Sequence, residues 1–200
     1  MKKLILICTS IMVIVSCGTN SPKRMTAEEK ALINGSSEVM RILTVDNEAD
    51  LAVLRRKSVN FNDADLDSPE YAALACKLVR TLESTDGGVG LAAPQVGINR
   101  RVVAVQRVDK DGEPIEVYAN IVIEEMRGEA EAGPEGCLSV PDQRGDVLRY
   151  RDITVRYTDV SGGPNQFREV SEDVTGFAAV IFQHECDHLD GILYVDNKLR

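Results

Sequence analysis

Tryptophan is absent from this chain, and aromatic residues make up only 4% of it. A core built without them must rest on Val, Leu, Ile and Ala. At 44% hydrophobic content, 200 residues can supply one such domain. Positive charge is also short, with 23 Lys and Arg against 32 Asp and Glu and a net charge of −9. That balance excludes the basic stripe that grips nucleic acid, and plain solubility accounts for it. Cysteine is too sparse for a disulfide scaffold. Of the five, Cys8 and Cys17 lie near the start, leaving Cys76, Cys137 and Cys186, an odd number. No repeat or low-complexity stretch occurs. Histidine is nearly as scarce as tryptophan: the only two, His184 and His188, stand four residues apart in QHECDHLDG, residues 183–191.

The first residues have their own pattern. Lys2 and Lys3 precede an apolar run over 4–15, which is short for a membrane span and fits a secretory signal. The run ends at Ser16-Cys17-Gly18. This resembles a bacterial lipoprotein signal, in which the cysteine becomes the lipidated first residue; Ile14-Val15-Ser16 fit the usual pattern loosely. The expected organisation is a signal peptide over 1–17, a tether and short helix over 18–35, and a single metallohydrolase domain over 36–200. The protein would be exported, periplasm-facing and anchored in the membrane through Cys17. The alternative is a cytoplasmic protein whose first residues form a hydrophobic strand or helix.

Further along, Thr26-Ala27-Glu28-Glu29 opens like a capping box and Gly35 closes a short helix. Residues 41–45 read as a strand, and 51–57 are a mixed apolar and basic stretch. Ser68-Pro69 starts a second helix, with Tyr71, Leu74, Ala75, Leu78, Val79 and Leu82 on one face. Cys76 falls beside that stripe and reads as a small core residue. Residues 102–108, 115–125 and 147–159 read as three strands, and Gly162-Gly163-Pro164 as a turn. A last helix runs from a cap near Thr175 to about Leu189, with Gly191 ending it. Helices at both ends around a run of strands predict an α+β fold.

On that last helix Phe177, Ile181, His184 and His188 are spaced by four, three and four, so they share a face. Both imidazoles can meet one metal ion, and Glu185 is placed to serve as a general base. A catalytic site needs a third ligand and an open position. No third histidine exists, which leaves a carboxylate or a cysteine. Two other stretches bear on this. Residues 135–141 read EGCLSVP, placing Cys137 just after a turn-forming Gly133-Pro134; a buried free cysteine would also suit that position. Residues 87–95 read GGVGLAAPQ, whose glycines allow close backbone approach. A phosphate-binding loop is excluded there, because no lysine follows.

Together and in this order, the loop G-V-G-L-A-A-P-Q, the segment E-G-C-L-S and the helix Q-H-E-C-D-H-L-D-G resemble the three signature motifs of peptide deformylases. The similarity continues more weakly through 42–57 and 147–159 and covers roughly residues 40–195. It implies a peptide-deformylase-like fold, with mixed and antiparallel strands around a C-terminal HExxH helix. It implies Cys137, His184 and His188 as ligands of one divalent metal, ferrous iron first, with nickel, cobalt or zinc as alternatives. It implies Glu185 as general base and then acid. The side-chain amide of Gln95 and the backbone N–H of Leu138 would serve as oxyanion donors. An N-formyl-methionyl peptide would lie extended along Gly88, Val89 and Gly90, with Arg144 on its backbone and Val89, Phe177 and Ile181 around the methionine. Cys186, two residues from His184, turns away from the metal face.

Two features depart from the family. The export-like start does not fit work on nascent chains in the cytoplasm. Only 189–200 follow the second histidine ligand, so ribosome docking through a longer C-terminal helix is not expected. The other functional readings are a zinc peptidase using the same HExxH logic and a non-catalytic lipoprotein that binds metal or formyl peptides. The sequence leaves the oligomeric state open.

Overall fold

The computed structural model describes residues 24–199, so the expected signal peptide and Cys17 lie outside the described residues. Five antiparallel strands form the main sheet, in the order β1 (Gly90–Ala92), β2 (Val102–Gln106), β3 (Ile115–Arg127), β6 (Asp152–Asp159) and β7 (Arg168–Thr175). β4 (Glu131–Cys137) and β5 (Val140–Arg149) make a separate hairpin. The β1–β3 side of the main sheet lies between two long helices, α4 (Pro69–Glu83) and α5 (Gly176–Leu189), and there β1 and β2 are buried on both faces. Strand periodicity divides the core accordingly. Val102, Ala104 and Ala119 face the cluster holding Leu74, Leu78 and Leu82 of α4. Val103, Val105 and Tyr118 face the cluster holding Ala178, Phe182 and Leu189 of α5. Two-sided burial explains why β2 reads as an unbroken apolar run. The α+β expectation, with antiparallel strands around the C-terminal helix, is the observed fold.

Several local expectations need correction. Residues 41–45 form no strand, yet their backbone is used: Leu43 N–H donates to Gln95 O at 2.7 Å and Val45 N–H to Ser139 O at 2.9 Å. The mixed stretch after them largely lies in α2 (Glu48–Leu54), capped by the Asn47 side chain. The single strand expected over 147–159 is the end of β5 and the whole of β6, split at Tyr150 and Arg151. Cys76 is exposed. It sits two residues, about 200° of helical turn, from both Leu74 and Leu78 and so points away from their stripe. Gly191 follows α5 with φ of 75°.

The capping box at Thr26 is present and opens α1 (Ala27–Ile33). This helix is fixed to the core rather than trailing from it. Met25 and Ile33 are buried with the α4 cluster, Met25 N–H donates to Asp65 Oδ2 at 2.7 Å, and Lys30 reaches Glu70 at 3.1 Å. Asp65 belongs to the single-turn helix α3 (Asp63–Leu66). Arg100, 2% exposed, donates to Glu29 from Nε and from a terminal nitrogen, both at 2.8 Å. Burial alone would raise the Glu29 carboxyl. Hydrogen bonds from Arg100 and from the Thr26 backbone outweigh it and hold the group below the usual carboxylate range.

A carboxylate depressed in the folded state stabilises the protein above its unfolded value near 4.5, and that stabilisation is lost as pH falls through the lower folded value. Thermal melts between pH 6 and 3 are therefore expected to show a smaller acid-side fall in Tm for Glu29→Gln than for the wild type. Equal slopes would remove Glu29 from the account of acid stability.

Candidate active site

The last strand residue before α5, Thr175, leads straight into a helix whose buried face carries Ile181, His184, Glu185 and His188. The β4–β5 hairpin brings Cys137 opposite them. Cys137 Sγ lies 3.2 Å from His188 Nε2, and the ligand atoms of Cys137, His184 and His188 all lie within 4.8 Å of one another. The two imidazole rings have centroids 5.0 Å apart. A thiolate and two neutral imidazoles at this spacing form a tripod that leaves a fourth position for water or substrate. Burial, reinforced by the charges of His184 and Arg149, holds His188 well below the ordinary imidazole range, so it stands neutral as a ligand must. Burial would also lower His184, but its hydrogen bonds to Cys137 and Glu135 prevail and raise it to about 10, so an ion binding there would displace its proton.

Glu135 orients the other histidine. His184 Nδ1 lies 2.8 Å from Glu135 Oε2, which leaves Nε2 to face Cys137. Arg149 in turn donates to both Glu135 oxygens, at 2.7 and 3.1 Å, and to Asp187 at 2.7 Å. Burial would raise the Glu135 carboxyl, but the hydrogen bonds from His184 and Arg149 prevail and hold it at about 2. Glu135 and Arg149 were not among the expected site residues. The glutamate stood in view as the first letter of E-G-C-L-S. Arg149 carries no local signal, because its link to Glu135 is made only when the hairpin closes.

Gln95 is held from three sides. Its Oε1 accepts from Ala92 N–H at 2.8 Å, while its Nε2 donates to Ser139 Oγ at 3.2 Å and points at Cys137 Sγ at 3.7 Å. Ser139 N–H also reaches that sulfur, at 3.4 Å. The bonds made by Leu43 and Val45 tie the Gln95 turn to Ser139 from behind. Gln183 of the helix motif faces elsewhere: it bridges Tyr150 N–H and C=O where β5 gives way to β6.

These groups open into a cleft of about 880 Å³. Gly88, Val89, Gly90, Gln95, Cys137, Leu138, Arg144, Phe177, Ile181, His184 and Glu185 all line it, while His188 sits buried behind. Pro134 and Val180 line it as well and were not expected. Phe177 stands half exposed at the mouth and Ile181 is buried deeper. The close backbone approach allowed by the glycine-rich loop is to Glu185, since a Cβ on Gly90 would overlap its carboxylate. Burial pushes the Glu185 carboxyl up to about 7, against the charge of His184, and a cation held beside it would draw it back down. Glu185 Oε2 is buried with no hydrogen-bond partner among the described residues. Cys186 is buried in the α5 core and contributes nothing to the cleft.

A family model described as polypeptide deformylase matches residues 39–199. The peptide deformylase of Desulforudis audaxviator is 44% identical over 129 residues, which cover 64% of this chain and 78% of that one. The crystal structure of the Thermotoga maritima peptide deformylase superposes with a TM-score of 0.68 at 31% identity, over 81% of this chain and 99% of that one. A Met-Ala-Ser-bound structure of the class I type b peptide deformylase of Acinetobacter baumannii gives 0.67 at 34% identity, over 80% and 98%.

Proposed function

Since this chain belongs to the peptide deformylase family, metal-dependent hydrolases of protein biosynthesis that remove the formyl group from N-formyl-methionyl peptides, we propose a division of that work among its residues. The carrying observation is the convergence of Cys137, His184 and His188 within 4.8 Å, with Glu185 and Gln95 on the cleft side. The three side chains would hold one divalent ion. When bound, that ion supplies positive charge that acidifies water and polarises the formyl oxygen. Ferrous iron is the proposed native ion; the same donors also accommodate Ni²⁺, Co²⁺ or Zn²⁺.

Glu185 takes the proton of the water that adds to the formyl carbon and returns it to the departing amine, so that formate and a free N-terminus result. Gln95 Nε2, beside Cys137 Sγ at 3.7 Å, and the Leu138 backbone N–H donate to the oxygen on which negative charge develops. The substrate lies extended along Gly88–Gly90, pairing with its backbone as an added strand. Arg144 at the rim meets the substrate backbone, and Val89, Phe177 and Ile181 enclose the methionine side chain.

Two measurements address this reading. The soluble chain from Gly18 onward, purified without oxygen and loaded with Fe²⁺ or Ni²⁺, is expected to release formate from formyl-Met-Ala-Ser. A folded, metal-loaded protein that releases none would overturn the assignment and restore the peptidase and binding-protein readings. Gly90→Ala is expected to fold normally and to lose turnover by about a hundredfold, because its methyl displaces the Glu185 carboxylate. Wild-type turnover in this variant would mean that the carboxylate position is not critical.

For location, the proposal is an exported lipoprotein anchored through a lipidated Cys17, with signal peptide over 1–17, tether and short helix over 18–35 and catalytic domain over 36–200. The signal pattern supports it. Arg24 lies 3.7 Å from Asp65, and the neighbouring α1 meets Glu70 at the start of α4. The cleft is lined by Asp86–Gly90, beyond the other end of that helix. Fifteen residues of α4 separate the two, about 22 Å. A tether at Arg24 would thus leave the cleft clear of the membrane. Among the described residues no helix is long and apolar enough to cross a bilayer. Cys17→Ala is expected to move the protein out of the membrane fraction and abolish labelling by a fatty-acid analogue. Unlabelled wild-type protein in the cytoplasm would establish the alternative.

A further inference from the structure

The segment after α5 returns to the hairpin that carries Cys137. Arg55 pairs with Asp196 and reaches Gly191 O, which pins the start of this segment. Tyr194 is then buried with Leu193, Val140 and Val147. Beyond it, Lys198 bridges Val147 in antiparallel fashion, and Leu199 N–H donates to Asp146 O at 2.8 Å. Residues 198–199 thus add a short third rung to the edge of β5.

The side chain of Lys198 makes the more specific contact. A Cβ on Gly145 would overlap the Cγ, Cδ and Cε carbons of Lys198, so the aliphatic stem lies flat on the glycine. Gly145 is the register partner of Glu135. Residues directly opposed in an antiparallel pair face the same side. The stem therefore covers the hairpin face from which Glu135 reaches His184. Arg144, the next residue, projects to the other side and lines the cleft. Lys198 is exposed overall, which is how a long cationic side chain behaves when its stem packs and its ammonium stays in water.

We propose that Lys198 is a positioning residue for the metal centre. Its stem, seated on Gly145, holds β5 against β4 so that Glu135 keeps its hold on His184 and Cys137 stays opposite the two histidines. The inference rests on the metal-centre reading above. It assigns the role to the length of the stem and not to the charge.

The test is the rate at which Ni²⁺-loaded protein gives up its metal to excess chelator, read beside the Tm of the metal-free protein. Lys198→Ala is expected to release nickel about tenfold faster than wild type, with the metal-free Tm unchanged. Lys198→Met, which restores an unbranched stem without charge, is expected to release it at the wild-type rate. A wild-type rate in Lys198→Ala would overturn the proposal. So would failure of Lys198→Met to restore retention, or a fall in metal-free Tm that parallels the faster release. A wild-type chain that takes up no nickel would instead refute the metal centre itself, and this inference with it.

Discussion

Glu185→Gln is expected to lower the rate of formate release by about a hundredfold to ten-thousandfold, with metal content unchanged. The size follows from what the substitution leaves in place. Glu185 is 3% exposed and packs against Gly90, on the cleft side of the three ligands. Glutamine has the same shape, so the packing at Gly90, the helix and the ligand spacing should persist. What it lacks is the ability to take a proton from water and return it to the amine. Because that proton transfer belongs to the transition state, the loss should fall on kcat with little change in KM. Gln95 and the Leu138 N–H would still stabilise charge on the formyl oxygen, so a residual rate above solution is expected. Metal content and single-turnover formate release should be measured on the same preparation. Activity within tenfold of wild type would remove Glu185 as the base. Metal lost in proportion to activity would make it a structural member of the centre instead.

The parts of the fold legible in sequence were those whose signal is local. The stripe of α4, the capping box at Thr26 and the apolar run of β2 each announce themselves within a dozen residues. So does the metal-binding face of α5, because histidines four apart in a helix meet whatever surrounds them. β4 and β7 were missed for a physical reason. Glu131–Cys137 contains glycine and proline and is largely exposed, and Arg168–Thr175 has only Val174 buried, so neither shows clear hydrophobic alternation. The break between β5 and β6 falls at Tyr150-Arg151, which carries no turn residue. It is held by Gln183, 33 residues away. Residues 41–45 have strand composition but pair with two loops in place of a ladder. Within the site, candidates for ligand and base could be named from spacing and family resemblance. The supports of those residues could not, since Arg149, Ser139 and Lys198 act through contacts that only the tertiary fold creates.

The second large effect is expected at one of those supports. Glu135→Gln should weaken metal affinity about 10- to 100-fold and lower stability by about 3–5 kcal/mol, a fall in Tm on the order of 10 °C for a chain of this size. Glu135 and Arg149 are both largely buried, with side chains 7% and 8% exposed. The carboxylate accepts from Arg149 on both oxygens and from His184 on one. An amide offers one accepting oxygen and turns its NH₂ toward a donor, either the guanidinium or the imidazole. Arg149 would keep Asp187 as its partner and lose the better-buried one, so part of its desolvation would go uncompensated. His184 would lose the anion that fixes its ring and keeps Nε2 free for the ion. The two losses should separate in a double variant. Adding Arg149→Met to Glu135→Gln removes the uncompensated charge and should restore much of the stability. It should not restore metal affinity, because His184 still lacks its carboxylate. Melting of the metal-free proteins and competition titration with a chelator measure the two quantities independently. Wild-type affinity in Glu135→Gln would show that His184 is oriented by packing alone, and recovery of affinity in the double variant would show that Glu135 acts only by neutralising Arg149.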